Sequence, residues 1–330
     1  MSLEEKNITI ASLFAGIGGI CLGFKNAGAE VIWANDNDKH AFKTYTENFP
    51  NTVFDKRSIV DIPTNEIPDH DILTGGFPCQ AFSIAGYQNG FNDDRGNLFF
   101  QIERILIEKD EKTKVIFLEN VKNLETHDNK RTFKIINSKL LNAGYYIKSK
   151  VLNTADYGNL PQNRERIYIV GFRDRTLCEN FNFPKKIKLT KTIHDIVNIS
   201  ERKPVYYYYN EKSQYYEMLK SEVTKFETVY QLRRVYVREN KSNICPTLTA
   251  NMGTGGHNVP IIRDNYGIRK LTPRETFMLQ GFPENFKFPK GMARSHLYKQ
   301  IGNSVSVTVI QRIAENIIKV ITKRFSNGSQ

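Results

Sequence analysis

The sequence is poor in cysteine and has no long apolar run. Its 330 residues include four cysteines, Cys21, Cys79, Cys178 and Cys245, which lie far apart and form no CxxC pair. We therefore expect neither a disulfide framework nor a structural zinc site. Scattered thiols are typical of a reducing cytosol. No apolar stretch is long enough to cross a bilayer, and the acidic, polar start does not resemble a secretory signal.

Internal repeats and low-complexity tracts are also missing from the sequence. Hydrophobic residues make up 40% and charged residues 25%, which predicts a soluble globular protein. The length allows one large domain or two unequal domains. The formal net charge of +12 favours a polyanionic partner such as nucleic acid, although a solvated basic surface without a partner would explain it equally well.

Strand-like and helix-like stretches alternate through the first part of the chain. Strands are predicted in ITIASLF, EVIWAND, DILTGGF, KVIFLENV, KVLNTADYG and RIYIVGF, and helices in GICLGFKNAG, LFFQIERILIEKDE and TFKIINSKLLNAGYY. Strands that alternate with helices predict an α/β fold with a mostly parallel, doubly wound sheet.

This alternation fades after about residue 186. The following segment is rich in Tyr, Lys, Asn and Gly and has only short, irregular strand-like runs. We predict a smaller, β-rich domain with its hinge over 189–287. The first domain is predicted over 1–188 and 288–330, because the strongly helical SVTVIQRIAENIIKVITKRF is expected to pack on it.

A glycine-rich turn follows the first predicted strand. FAGIGG contains Gly16 and Gly18 and opens the first predicted helix. Such a turn brings main-chain N–H donors close to a ligand, and Asp36, twenty residues after Gly16, can accept hydrogen bonds from a ribose. The third glycine of the dinucleotide pattern is replaced by Cys21, which disfavours NAD or FAD. An ordinary tight turn remains the alternative.

The segment GGFPCQAFS follows the third predicted strand. Its Cys79 is therefore expected at the carboxyl edge of the sheet, where ligands bind in such folds. A thiolate there is a candidate nucleophile. The alternative is an inert structural cysteine.

Two further segments place charged groups beside apolar strands. Glu119 follows the apolar residues that begin FLENV, and Arg164 and Arg166 alternate in QNRERIY. The carboxyl group could transfer protons, or it could cap a helix or form a salt bridge. The arginines, expected to point the same way along a strand, could hold an anion or a carbonyl group, or be solvated.

These segments occur in an order that is specific to one family. LFAGIGG, GGFPCQAFS, ENV, QNRERIY, PTLTA, RKLTPRE–QGFP and QIGNSV together resemble the DNA cytosine-5 methyltransferases of bacterial restriction–modification systems. The resemblance covers nearly the whole chain. It implies an S-adenosylmethionine-dependent methyltransferase domain joined to a target-recognition domain, with no metal.

The resemblance also implies a role for each catalytic residue. Cys79 adds to carbon 6 of a flipped-out cytosine, and Glu119 contacts N3 and assists by donating a proton. Arg166 holds the base and the nearby backbone, and Arg164 belongs to the same arginine motif. S-adenosylhomocysteine is the expected product.

The cofactor site implied by the resemblance has one departure from the family pattern. Many relatives carry an Asp that meets the adenine amine where this chain has Ser58. Either Ser58 substitutes, or Asp61 reaches in, or the contact is missing. Asn37 stands where some relatives carry an aromatic residue. The positions expected to bind the cofactor are Phe14, Gly16, Gly18, Asp36, Asn37, Ser58, Ile59, Pro78, Leu98, Asn303 and Ser304.

The expected DNA contacts lie in two regions. One is the segment 85–97 with the residues just before it, whose glycines suit a lid that closes over DNA. The other is QLRRVYVRENKSNICPTLTANMGTGGHNVP, where arginines could pair with guanine, although phosphate is the commoner partner. The residues expected to contact DNA are Gln80, Ser83, Ala85, Arg95, Arg233, Arg234, Arg238, Thr247, Thr249, Gly255 and Gly256.

The resemblance implies double-stranded DNA with a short, GC-rich, palindromic site, a monomeric enzyme in the bacterial cytosol, and no membrane partner. A cognate restriction endonuclease would share the target sequence without binding this protein. Three alternatives stay open at this point: a tRNA cytosine-5 methyltransferase, a nicotinamide-dependent oxidoreductase, and a catalytically inactive DNA-binding relative.

Overall fold

The computed structural model describes residues 7–77, 98–109, 113–240, 243–255 and 257–327. They divide into two units. The first comprises the described parts of Met1–Leu152, Glu165–Lys185 and Val309–Gln330, and the second comprises those of Asn153–Arg164 and Lys186–Thr308.

Strands and helices alternate up to residue 180. In chain order they are β1 (Thr9–Leu13), α1 (Gly19–Asn26), β2 (Glu30–Asn35), α2 (Lys39–Asn48), β3 (Val53–Asp55), β4 (Ile72–Gly75), α3 (Leu98–Glu108), β5 (Val115–Val121), α4 (Arg131–Asn142), β6 (Tyr146–Asn153), the single turn α5 (Thr154–Tyr157), β7 (Glu165–Phe172) and α6 (Arg175–Asn180).

The seven strands form one sheet in the order β3-β2-β1-β4-β5-β7-β6. The pairs β1–β2, β1–β4, β2–β3 and β4–β5 are parallel, whereas β7 runs antiparallel to β5. All residues of β4 and all but the last of β5 are buried, as expected for strands covered on both faces. The predicted, mostly parallel α/β sheet is confirmed.

Several local features differ from the sequence prediction, which did not include α2, β3 or α6. KVLNTADYG, predicted as one strand, changes to helix after Asn153, because the Asn153 side chain accepts a hydrogen bond from Ala155 N and caps α5. Asparagine is a preferred residue at a helix N-cap. The three-residue strand β3 is too short to show a period in sequence.

The second unit contains a separate antiparallel sheet. Its helices and strands are α7 (Tyr216–Glu222), β8 (Tyr230–Arg233), β9 (Tyr236–Glu239), β10 (Val259–Asp264), β11 (Gly267–Lys270), α8 (Pro273–Leu279) and α9 (Arg294–Asn303). The sheet order is β11-β10-β8-β9, and Leu219, Tyr230, Leu232 and Ile261 belong to its buried core. This sheet is consistent with the predicted smaller, β-rich domain.

The last element among the described residues is the long helix α10 (Val307–Asn327). Most of this helix belongs to the first unit. There it packs closely on α1, since a Cβ placed on Gly23 would lie 2.5 Å from Ile310 Cγ2. The predicted terminal helix is therefore present, and it packs on the sheet unit.

Candidate active site

The turn after β1 is built on left-handed backbone. Phe14, Gly16 and Gly18 have φ angles of 52°, 55° and 86°. A Cβ on Gly18 would lie 2.3 Å from the Phe49 ring, whereas one on Gly16 would meet nothing within 4 Å. Gly18 is therefore required by packing as well as conformation, and open space borders the main chain at Gly16. Gly18 caps α1 without a side-chain hydrogen bond, which leaves N–H donors for a ligand.

The carboxylate of Asp36 joins this turn to the end of β2. Its Oδ2 accepts a hydrogen bond from Gly16 N at 2.8 Å, and its Oδ1 accepts one from Asp38 N at 2.9 Å. Burial raises the pKa of Asp36, and these two hydrogen bonds oppose the rise. The structure thus brings together the predicted glycine turn and the predicted acid.

The segment after β3 carries Ser58 and Ile59. Ser58 precedes a 3-10 turn, Ile59–Asp61, and its hydroxyl forms no capping hydrogen bond there. Ser58 is partly buried and Asp61 is exposed. Asn37, directly after Asp36, is also exposed.

Two apolar cofactor candidates pack against one cluster. Phe14 and Leu98, the first residue of α3, are both partly buried and contact the core that includes Leu13, Ile59 and Phe77. Residues separated by more than eighty positions in sequence are therefore gathered near the ends of β1 and β4.

Sequence reasoning missed Asn35 at the end of β2. Its side chain is buried, and Nδ2 donates to Asp55 O at 3.0 Å and to Arg57 O at 2.8 Å. Asn35 thereby anchors the main chain just before Ser58. The available signal in the sequence was the amide side chain at the end of the apolar run in EVIWAN.

Glu119 and Arg166 form an ion pair between the ends of β5 and β7. Arg166 Nε lies 3.2 Å from Glu119 Oε1, and both side chains are largely buried. A Cβ on Gly76 would lie 3.6 Å from Glu119 Oε2. The carboxyl group is therefore held beside the main chain that leads to Cys79.

The neighbouring Asn120 was also missed, although it belongs to the ENV segment. Its Nδ2 donates to Phe77 O at 2.8 Å, and its Oδ1 accepts from Val121 N at 2.8 Å. This amide fixes the chain two residues before Cys79. Cys79 and several other predicted positions lie outside the described residues, namely Pro78, Gln80, Ser83, Ala85, Arg95 and Gly256.

Arg164 has different surroundings from Arg166. It precedes β7, which begins at Glu165, so only Arg166 lies within the strand. Arg164 is buried in the second unit, where it donates to the carbonyl oxygens of Leu248 at 3.0 Å and Gly302 at 3.4 Å, and to that of Ser304. These contacts join PTLTA to QIGNSV. Asn303, between Gly302 and Ser304, is exposed.

Three of the predicted DNA-contacting arginines lie on the β8–β9 hairpin. Arg233 ends β8, Arg234 lies in the two-residue turn, and Arg238 lies in β9. Arg234 and Arg238 are exposed, as is 84% of Val235, whereas Arg233 Nε donates to Gln231 Oε1 at 3.0 Å. The hairpin tip therefore presents cations beside an exposed apolar side chain.

The threonines of PTLTA lie on a loop that packs against α9. Thr247 Oγ1 donates to Asn163 O at 2.6 Å, and Thr249 Oγ1 donates to Asn251 Oδ1 at 2.7 Å. A Cβ on Gly302 would lie 2.3 Å from the carbonyl carbon of Thr249. Only glycine allows this approach of helix and loop. Gly255, farther along, has a φ of 84° and open space beside it.

No helix in the described ranges combines the length and apolar character needed to cross a membrane. Within the same part of the chain, no three His, Cys, Asp or Glu side chains are grouped as metal ligands would be.

Known proteins resemble the chain over nearly its full length. Residues 8–319 match the model of the C-5 cytosine-specific DNA methylase family. Type II methyltransferase M.Bsp6I of Bacillus sp. (strain RFL6) is 56% identical over 94% of this chain and 99% of the relative. Type II methyltransferase M.HhaI of Haemophilus parahaemolyticus is 39% identical over 96% and 97%.

Solved structures share the fold at lower identity. A DNMT2 variant from Spodoptera frugiperda is 21% identical with a TM-score of 0.76, over 94% of this chain and 100% of that chain. A putative DNA modification methyltransferase encoded within a prophage (E. coli) is 21% identical with a TM-score of 0.70, over 96% and 100%.

These findings favour the predicted activity over the tRNA-modifying and nicotinamide-dependent alternatives. The family match, the relatives above 30% identity and the shared fold agree with one another. The chain belongs to the C-5 cytosine-specific DNA methylase family, and it is an S-adenosylmethionine-dependent DNA (cytosine-5-)-methyltransferase.

Proposed function

We propose that the protein methylates a flipped-out cytosine through a covalent bond between Cys79 and carbon 6. The observation that carries this proposal is the largely buried pair Glu119–Arg166, with 3.2 Å between Oε1 and Nε. Glu119 lies next to Gly76, and Gly76 is three residues before Cys79 in sequence. In this proposal the pair supplies an oriented carboxyl group and a cation to the reaction of Cys79.

The proposed chemistry begins at the base. The thiolate of Cys79 attacks carbon 6, and the displaced electron pair makes carbon 5 enamine-like while Glu119 gives a proton to N3. Bound S-adenosylmethionine supplies the electrophilic methyl group. The proton of carbon 5 then leaves to a base, and the thiolate is expelled as N3 returns its proton to Glu119. Arg166 orients the carboxyl group and holds the base. Arg164 positions the PTLTA and QIGNSV segments.

The cofactor is proposed to lie at the carboxyl ends of β1, β2 and β4. The open space at Gly16, the free N–H donors of α1 and the Asp36 carboxylate fit an adenosine group with ribose hydroxyls. For the adenine amine we propose Ser58 rather than Asp61, because Ser58 is partly buried and its hydroxyl is not used as a helix cap. The full proposed set is Phe14, Gly16, Gly18, Asp36, Asn37, Ser58, Ile59, Pro78, Leu98, Asn303 and Ser304. No metal takes part, and S-adenosylhomocysteine is the product.

DNA recognition is proposed for the domain over 189–287. Arg233, Arg234 and Arg238 of the β8–β9 hairpin are proposed to contact guanine edges or phosphates. Arg234 and Arg238 are exposed, and Arg233 Nε donates to Gln231 Oε1 on the same strand. The loop with Thr247 and Thr249 is proposed to contact the DNA backbone. The remaining proposed contacts are Gln80, Ser83, Ala85, Arg95, Gly255 and Gly256.

The biological role is proposed to be host protection in a restriction–modification system. The names of the relatives as Type II methyltransferases support this role. We propose a short, GC-rich, palindromic target, a monomeric enzyme in the bacterial cytosol, and a cognate endonuclease that shares the target without binding this protein.

A trapping experiment tests the mechanism. The enzyme is incubated with S-adenosylmethionine and duplex DNA that contains 5-fluorocytosine in random GC-rich contexts. Fluorine at carbon 5 blocks the final proton loss, so a covalent complex is expected on denaturing gels. Peptide mapping should place the adduct on Cys79, and sequencing of the trapped DNA gives the target. An adduct formed only on fluorinated RNA, or none on either substrate, would overturn the proposal.

Two substitutions test the residue roles. Cys79→Ser should abolish methyl transfer while DNA binding survives, and Cys178→Ser, in α6, is the matched control that should stay active. Glu119→Gln should slow transfer by about 10²–10⁴-fold. Glu165→Gln, which removes only an exposed pair with Lys122, should leave the rate unchanged. Turnover by Cys79→Ser would exclude the nucleophile assignment.

A further inference from the structure

The side chain of Arg104 connects α3 to the segment that carries Ser58 and Ile59. Its Nη2 donates to Ile59 O at 3.2 Å and to Ile62 O at 3.0 Å. Its Nη1 donates to Thr64 Oγ1 at 2.6 Å. One guanidinium group therefore holds three points of a short segment that includes the 3-10 turn Ile59–Asp61.

The remaining donors of Arg104 are directed at its own helix. Nε donates to Gln101 Oε1 at 2.7 Å, and Nη1 lies 3.5 Å from Glu108 Oε2. All five N–H groups of the guanidinium thus have an acceptor. Their fork geometry is rigid, so the position of the turn is fixed relative to α3. A lysine, with three donors on a single nitrogen, would not reproduce this arrangement.

A second side chain holds the other end of the same segment. Asn35 Nδ2 donates to the carbonyl oxygens of Asp55 and Arg57, just before Ser58. Ser58 and Ile59 therefore lie between two anchors, of which Arg104 is the one attached to α3. Helix α3 begins with Leu98, which packs on the same core cluster as Phe14.

We propose that Arg104 is a positioning residue for the adenine end of the S-adenosylmethionine site. It holds the Ser58–Ile59 turn at a fixed distance from the start of α3, so that Ser58, Ile59 and Leu98 keep the spacing that an adenine ring requires. This inference rests on the proposed function, which assigns those three residues to the cofactor. Arg104 contacts neither the cofactor nor the DNA in this proposal.

The test separates cofactor binding from catalysis. Arg104→Lys and Arg104→Met should raise KM for S-adenosylmethionine about ten-fold, which corresponds to about 1.4 kcal/mol. The Kd for S-adenosylhomocysteine, measured by calorimetry, should rise by the same factor. The rate kcat and KM for DNA should stay within about two-fold of wild type. Arg175→Lys is the matched control, because Arg175 forms an exposed pair with Glu179 at 2.9 Å on another helix.

A purely structural role of Arg104 would change kcat and the KM for DNA as well. Unaltered cofactor KM and Kd in folded Arg104→Met protein would overturn the inference, as would an equal fall in kcat with a raised KM for DNA. If the arginine variants fail to fold, Thr64→Val and Gln101→Leu each remove one acceptor and should raise the cofactor Kd by a smaller factor; no rise in either would also overturn the inference. Failure of the proposed function is distinguishable, because the wild-type enzyme would then give no Cys79 adduct.

Discussion

Replacing Arg269 by methionine should strongly destabilise the second unit. The side chains of Arg269 and Asp264 are completely buried, and that of Glu275 is almost completely buried. Its Nε donates to Asp264 Oδ2 at 2.6 Å, and its two Nη atoms donate to both oxygens of Glu275 at 2.9 and 2.7 Å. Burial lowers the pKa of Arg269, but the hydrogen bonds and charges of Glu275 and Asp264 outweigh it and raise this pKa above its ordinary value.

The magnitude follows from what the substitution leaves behind. Methionine fills a similar length, but two carboxylates remain buried without their cation. Breaking a buried ion pair from one side costs about 3–5 kcal/mol. In a background with Asp264→Asn and Glu275→Gln, the same Arg269→Met change should cost only about 1 kcal/mol, because the buried negative charges are gone.

Denaturant unfolding followed by circular dichroism measures the loss of stability. Hydrogen exchange of β10 and β11 should show that the loss is local, since the chain has two units. Arg263→Met is the matched control on β10, because Arg263 is only partly buried and stacks over Phe226. A loss below about 1 kcal/mol, or an equal loss in the neutralised background, would refute the reasoning.

Three further changes have defined outcomes. Gly302→Ala should lower stability by about 1–3 kcal/mol in thermal unfolding and weaken DNA binding, because its Cβ would overlap the main chain of Thr249; unchanged melting would contradict the close approach. Burial raises the pKa of the Asp71 carboxyl group, but hydrogen bonds from Lys114 and Thr9 outweigh it and hold this pKa below its ordinary value. The stability that the Asp71 carboxylate contributes is therefore present above the pKa of the unfolded chain and is lost as pH falls through the folded pKa. Asp71→Asn should therefore cost about 1 kcal/mol at neutral pH and nothing in strong acid, as measured by unfolding at several pH values. Lys130→Gly should stabilise by about 0.5–1 kcal/mol in the same assay, because Lys130 has a φ of 68°; a loss of stability would contradict this.

Much of the first unit was predictable because its signals are local. The apolar runs of β1, β2, β4 and β5, and the amphipathic helices between them, depend on patterns within about ten residues. The glycine turn and Asp36 were also predicted together, and the hydrogen bond from Gly16 N to Asp36 Oδ2 brings them together. Order along the chain was enough here, because the carboxyl ends of neighbouring parallel strands meet at one sheet edge.

The ion pair of Glu119 and Arg166 depends on strand pairing instead. These residues are 47 positions apart, and they meet because β7 runs antiparallel to β5. This pairing places Tyr168 opposite Glu119, and Arg166 is two residues from Tyr168 on the same strand. The sequence indicated a strand in this place but not its direction. A charge in a strand end has the same local pattern whether it is solvated or paired.

The sequence by itself determined the family, the α/β alternation, the glycine turn and the chemistry-bearing residue types, because each depends on local order and identity. Only the tertiary structure decided that Arg164 supports main-chain carbonyls while Arg166 meets Glu119. It also decided that Asn35 and Arg104 hold the Ser58 segment. Those roles depend on acceptors that are main-chain carbonyl oxygens or distant side chains, and a main-chain carbonyl has no residue identity for a sequence pattern to reveal.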